Sequence, residues 1–355
     1  MKFGQFYLLE TPPWKDHVET YHEAFEQFRL LDETGWDALW LAEHHFDHRV
    51  ADANYYSITS SIHTVAAYAA AVTEQIKIGT AVVVLPFHHP VIVAEDFATV
   101  DIMSKGRLLF GVGRGYQFEE FYNWGIDPEE SRERFRESLE IILQAWSGPF
   151  EYEGKFHKIR KVNVLPKPVQ EPHPPIYVAA VSPSTYEWVI QNGYNVLTSF
   201  LDPYEQVFEL YKAYHKTAAE AGLGGQLDFP LARFLYVSGT TEKAREEARE
   251  SLMWYFRTLL AQVIAPPPEI APPDPDDIYQ KLKRRFASIS FEEILENHAI
   301  VGDPDYVIDQ LKWIQENTGL GHFMGWTRIG GLEHELVCKS LKLFAQHVMP
   351  EFKKD

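Results

Sequence analysis

Short apolar, β-branched runs alternate along this chain with longer segments whose apolar residues recur every three or four positions. The first pattern is that of buried strands, the second that of helices packed along one stripe. Phe3 to Leu9 reads as a strand. Val18 to Thr34 reads as a helix carrying Tyr21, Ala24, Phe25, Phe28 and Leu31, and Gly35 ends it. Strands are expected at Asp37 to Leu41, Ile76 to Leu85, Arg107 to Val112, Ile176 to Ala179, Val196 to Thr198, Leu231 to Val237 and His322 to Gly325. Between them fall helices at 57–71, 90–103, 128–146, 183–192, 203–221, 241–263 and 304–317, with a last one at 333–347. Proline at the first turn marks Pro90, and Asp303 with Pro304 forms a cap and first helical residue.

Two stretches break the rhythm. Segment 148–175 opens with GPFEYEGKFHKI, which reads as a hairpin, and continues as an extended proline-rich approach to the next strand. Segment 265–277, APPPEIAPPDPDD, is too rich in proline for a helix or a central strand. The whole is one unit spanning 1–355, eight strands interleaved with helices, without repeats and without a linker between separate cores. That count favours an α/β fold closed as a (β/α)8 TIM barrel, with the doubly wound sheet as its rival. In both, binding sites lie at the C-terminal ends of the strands.

Composition narrows the partners. Against 33 Lys and Arg stand 51 Asp and Glu, a net charge of −18, so neither nucleic acid nor an anionic membrane surface is expected as a partner. One cysteine, Cys338, allows no disulfide framework and fits a cytoplasmic protein. The N-terminal MKFGQFYLLETPPW is too short and too quickly interrupted by Glu10, Pro12 and Pro13 for a signal peptide, and reads as a first strand. No apolar run reaches the roughly 20 residues that a membrane span needs.

The strand ends carry the candidate chemistry. The second ends in Glu43-His44-His45-Phe46, and an imidazole in a pocket can move a proton near neutral pH. Glu43, His44, His45, His88 and His89 could supply metal ligands, but neighbouring residues on a strand point to opposite faces, so His44 and His45 do not share an ion, and no metal is expected. Gly79-Thr80-Ala81-Val82 leaves room either for a planar ligand against the backbone or for close packing. Gly111-x-Gly113-x-Gly115 lacks the last glycine of a dinucleotide fingerprint, Tyr116 standing there. Arg114 between two glycines suits a phosphate, or else a structural ion pair. Ser182-Pro183-Ser184-Thr185 opens a helix, where hydroxyls and free amides either hold an anion or cap the helix. Trp124, Trp254, Tyr255 and Trp326 could line an apolar pocket or the core.

Taken in order, MKFGQF, LWLAEHHF, IGTAVVVLPFHHPVIVAED, MSKGRLLFGVGRGY, PPIYVAAVSPSTYEW and LKLFAQHVMP resemble the bacterial luciferase-like flavin-dependent monooxygenases over nearly the whole chain. The resemblance implies a (β/α)8 barrel that binds exchangeable reduced FMN at its C-terminal face. The flavin would come from a separate reductase and react with O2 to a C4a-(hydro)peroxide that oxygenates a small organic substrate. It puts the catalytic histidine at His44, with His45 beside it, and the phosphate on Arg114, Ser182, Ser184 and Thr185. It puts a cis peptide under the flavin at Ala81-Val82, and Glu120 where the family has an aspartate near the flavin. It also implies a homodimer, and a lid over the site near 262–295. Gly113 replaces the cysteine of luciferase itself and Val181 an acidic residue, which argues against light emission from a long-chain aldehyde. A deazaflavin-dependent hydride transfer and a non-catalytic flavin-binding subunit are the competing readings.

Overall fold

The computed structural model describes residues 1–47, 55–180, 183–266, 270 and 277–353. The strands are β1 (Lys2–Tyr7), β2 (Ala38–Leu41), β3 (Lys77–Thr80), β4 (Val83–Val84), β5 (Leu108–Gly113), β6 (Phe150–Glu153), β7 (Lys158–Val162), β8 (Ile176–Ala179), β9 (Asn195–Leu197), β10 (Leu231–Val237), β11 (Ala299–Gly302) and β12 (His322–Trp326). Ten of them form one sheet in the order β11-β10-β12-β1-β2-β3-β5-β8-β9, with β4 alongside β5, and every pair in it is parallel. Helices return the chain between strands, which is the (β/α)8 barrel expected from the alternation. The seam between β9 and β10 has no strand ladder. It is held by Val196 N–H to the Asp228 carbonyl at 3.1 Å and by Arg233, whose Nη1 and Nη2 donate to the carbonyls of Phe200 (3.3 Å) and Asp202 (2.7 Å).

Three differences from the sequence expectation stand out. The run Ile76 to Leu85 is two strands, β3 and β4, divided by a cis peptide at Ala81-Val82. The stretch 262–295, expected as a lid, contains two helices, Ile278–Ser288 and Phe291–Asn297, and β11 follows them. The second of these helices has a complete capping box between Ser290 and Glu293, a signal visible in the sequence but obscured by the prolines upstream. Residues 267–269 and 271–276 of the proline-rich segment lie outside the described residues. Finally, the helix Thr241–Trp254 widens into a π-helical turn at Tyr255–Leu260. The hairpin β6–β7 is antiparallel, as expected.

The barrel interior is filled by Ala38, Trp40, Leu109, Tyr177, Leu197 and Met324, with Phe6, Ala81, Val82 and Ala232 packed against them. Trp40 is fully buried, and its neighbour in register across β3 is Gly79. A methyl group on Gly79 would run into the six-membered ring of Trp40, and one on Gly4 would lie 2.8 Å from its Nε1. Gly79 is therefore small because an indole needs its space, which settles its role as packing rather than ligand approach.

Long connections are fastened by side chains with several bonds each. Asp32 accepts from the backbone N–H groups of Glu74 (2.7 Å), Gln75 (2.8 Å) and Ile76 (2.7 Å). Glu137 accepts from those of Lys155, Phe156 and His157 at the tip of the β6–β7 hairpin. Asp101 accepts from Val169 (2.8 Å) and Gln170 (3.0 Å) in the approach to β8. Buried Arg107 donates to the carbonyls of Ala70, Thr73, Ile76 and Ser104. Bonds to charged partners contribute about 1.5–3 kcal/mol each, so these four residues fix the loops that frame the barrel.

Gly79→Ala should lower the unfolding free energy by about 1–3 kcal/mol, the usual effect of forcing a methyl group into a packed core. Urea denaturation reads the change, and adding Trp40→Phe should recover part of it. An unchanged midpoint in Gly79→Ala would show that the interior is not filled to capacity.

Candidate active site

β2 delivers Glu43, His44 and His45 to the C-terminal mouth of the barrel. Alternation along the extended chain sends the two imidazoles to different partners. Nδ1 of His44 is 3.0 Å from Oε1 of Glu120, which also accepts the backbone N–H of His45 at 2.8 Å. Nε2 of His45 is 2.7 Å from Oε1 of Glu43. Glu120 stands on the helix Phe118–Trp124 and is buried. A carboxylate only accepts, so the proton of a neutral His44 sits on Nδ1, and Nε2 is left as a base.

Glu43 is fully buried and anchors a second network. Its Oε2 accepts from Val84 N–H at 2.8 Å, and its Oε1 from Nε2 of His88 at 2.5 Å as well as from His45. Of the five residues that could ligate a metal, Glu43, His45 and His88 are brought together. His44 goes to Glu120, and the His89 ring packs against His157. Burial alone would raise the Glu43 carboxyl, but the bonds from His45 and His88, the His88 charge and the Val84 amide hold it at about 2. Burial would lower His88, yet the bond and charge of Glu43, with Asp96, raise it above its ordinary 6.5.

Aromatic rings surround His44. Tyr56 and Tyr116 meet it edge-on at 5.0 and 5.7 Å, and their hydroxyls are 3.1 Å apart. Phe46 has a left-handed backbone (φ 59°), unusual for a bulky residue, and its ring packs on Trp124, which also touches His45 and Phe87. A pocket beside it is lined by His44, Phe46, Tyr56, Ser57, Gln117 and Phe118. Val263, Ala265 and Pro266 border it too, so the start of the proline-rich segment reaches the site. Tyr56, Phe46 and Gln117 escaped the sequence reading, although Phe46 follows the histidine pair directly. Tyr255 and Trp326 are buried together at the mouth with Phe200 and Phe234, while Trp254 packs on Trp14.

The phosphate candidates lie at neighbouring strand ends. Arg114 follows β5 and is exposed, and Nη1 is 3.5 Å from the Ser131 hydroxyl. No ion pair of Arg114 is found among the described residues. The helix after β8 is Pro183–Gln191, with half-buried Thr185 in its first turn. Ser182 and the side chain of Ser184 lie outside the described residues. Ala81 and Val82 pack on the filled interior, and a methyl group on Gly113 would press on Val82. An exposed guanidinium at one strand end, a helix start after the neighbouring strand, and aromatic rings around a histidine fit a phosphorylated flavin in their donor set. No helix among the described residues is long and apolar enough to cross a membrane.

The Glu43–His88 pair sets a pH window. His88, raised above 6.5, stabilises the fold below pH 6.5 and loses that effect as pH rises through its folded value. Glu43, lowered from 4.5 to about 2, stabilises above pH 4.5 and loses that effect as pH falls toward 2. The difference in unfolding free energy between wild type and Glu43→Gln should peak between those values. The NMR midpoint of His88 should fall in the variant, where Asp96 alone is left to oppose burial, and an unshifted midpoint would refute the pairing.

Residues 1–320 match the family model described as luciferase-like monooxygenase. The oxygenase component of flavin-dependent trigonelline monooxygenase from Acinetobacter baylyi is 30% identical over 99% of this chain and 96% of its own length. The FMN complex of the oxygenating constituent of 3,6-diketocamphane monooxygenase from Pseudomonas putida has the same fold, with a TM-score of 0.80 at 20% identity over 99% of both chains. An F420-dependent secondary alcohol dehydrogenase shares that fold at a TM-score of 0.75 and 19% identity, again over 99% of each chain. With the barrel, the histidine site and these matches together, the chain belongs to the luciferase-like monooxygenase family, whose members are flavin-dependent monooxygenases and oxidoreductases.

Proposed function

We propose that this protein is the oxygenase component of a two-component monooxygenase, taking reduced FMN from a separate flavin reductase and using O2 to oxygenate a small organic substrate. The observation that carries this reading is His44 held through Nδ1 by buried Glu120, beside an aromatic pocket, with the exposed Arg114 shortly before Tyr116, whose ring meets His44. The relative named as a flavin-dependent oxygenase component, matched over nearly the whole of both chains, supports the two-component form. Bound reduced flavin supplies the oxygen chemistry. The chain's own residues bind, orient and move protons. Arg114, with Ser182, Ser184 and Thr185, holds the phosphate. Ala81 and Val82 form the floor under the ring system. Nε2 of His44 takes or gives the proton at the reacting substrate, Glu120 fixes its tautomer, and His45 steadies the strand end through Glu43.

Three measurements test this. Arg114→Ala should weaken FMN binding about tenfold or more, the effect of one charged hydrogen bond, while riboflavin, which lacks the phosphate, binds as before. Equal loss for both flavins would remove Arg114 from the phosphate site. His44→Ala should lose about 10²–10⁴-fold in substrate-coupled oxygen consumption with FMN affinity within about twofold of wild type. A His44→Ala variant as active as wild type would instead favour a non-catalytic flavin-binding subunit. Anaerobic titration with reduced FMN against reduced deazaflavin should favour FMN, and preference for the deazaflavin would replace oxygenation by hydride transfer.

A further inference from the structure

Behind the tyrosines that face His44 lies a buried polar group that the reading above does not use. Arg328 follows β12 and is 3% exposed. Its Nη1 donates to the Glu10 carbonyl at 3.1 Å and lies 3.6 Å from Glu10 Oε2. Nε and Nη2 are buried and have no partner among the described residues. Those two nitrogens form the side-on edge of the guanidinium, where two parallel N–H groups match the two oxygens of a carboxylate. The Thr327 hydroxyl, fully buried, is likewise without a partner. Leaving such donors unpaired is costly, the more so for a charged group, so each calls for an explanation.

A chain of ring contacts connects this residue to the site. Trp326 Nε1 donates to the Arg328 carbonyl at 2.9 Å, and its ring meets Tyr255 at 5.0 Å. Tyr255 is 6.5 Å from Tyr56, the ring that abuts His44. Tyr255 opens a π-helical turn, an irregularity that collects at functional sites. Burial keeps its hydroxyl protonated, hence a donor. Glu10 engages the other side of the guanidinium. Its Oε2 pairs with Nη1, its Oε1 accepts Gly330 N–H at 2.7 Å, and burial raises its carboxyl while the Arg328 charge opposes that rise.

We propose that the Nε–Nη2 edge of Arg328, with Thr327 next to it in the chain, recognises a carboxylate on the substrate, so that the substrate class is a small carboxylic acid with an apolar or aromatic body. The body lies against the aromatic rings of the mouth, and the carboxylate anchors it two rings away from His44. Fixing a substrate at a group remote from the reacting atom is an effective use of binding energy. This inference rests on the oxygenase reading for the word substrate, but the site is testable without flavin.

The probe is benzoate, an aromatic monocarboxylate, with neutral benzamide as its match in shape, titrated into the full-length flavin-free protein by calorimetry. Benzoate should bind at least tenfold tighter than benzamide, and sulfate should not displace it. Arg328→Lys, which keeps the charge and loses the fork, should weaken benzoate tenfold or more and leave FMN affinity unchanged. In wild-type protein with labelled arginine, the Arg328 Nε–H resonance should shift on benzoate addition, a readout that does not depend on a variant folding. Equal affinity for benzoate and benzamide, displacement by sulfate, or an unmoved resonance would overturn the proposal and leave buried water as the partner of Arg328. Failure of FMN to bind while benzoate binds would overturn the cofactor reading alone.

Discussion

The structure depends first on how the middle of the barrel is filled. A closed ring of eight strands encloses space that must hold side chains at the density of a crystal. Here a single indole, Trp40, takes much of that space, and it can do so because Gly4 and Gly79 on the flanking strands have no side chain. The plug raises a floor of Phe6, Ala81, Val82 and Ala232 on which the mouth is built. Everything with chemical potential lies above it. A bound molecule therefore stays at the mouth and cannot sink into the barrel.

The second constraint is the two-residue period of the chain leaving β2. Because neighbouring residues face opposite ways, Glu43-His44-His45 is sorted into two buried carboxylate networks. One carboxylate, Glu120, holds His44 and the His45 backbone. The other, Glu43, joins His45, His88 and Val84. A base whose orientation matters is thus fixed from two directions, by its own ring nitrogen and by the strand that carries it. The same sorting keeps the histidine pair from acting as a joint metal ligand.

Much of the fold was legible because parallel strands buried on both faces read as continuous apolar runs, and all eight expected barrel strands have counterparts. β11 was hidden because AIVG is only four residues long and follows a helix whose capping box was overshadowed by prolines. The π-helical turns at Tyr255–Leu260 and Phe344–Val348 leave side-chain periodicity almost intact and so carry little sequence signal. In the site, His44 and Arg114 could be picked out by residue type and strand-end position. The bond from His44 to Glu120 spans 76 positions and the Tyr56–Tyr116 contact 60, and no local pattern encodes pairings at such distance. Gly79 was ambiguous for the same reason, since only the β2–β3 register places it against Trp40.

The carboxylates that fasten the loops change the meaning of the chain's acidity. Asp32, Asp101, Glu137, Glu43 and Glu120 are turned inward onto amides and imidazoles, so these five of the 51 acidic groups are framework rather than outward-facing field. Each holds a particular connection in place, so replacing one by an uncharged residue does more than change a surface charge. It frees a loop that frames the mouth, while the filled interior beneath has no part in that connection.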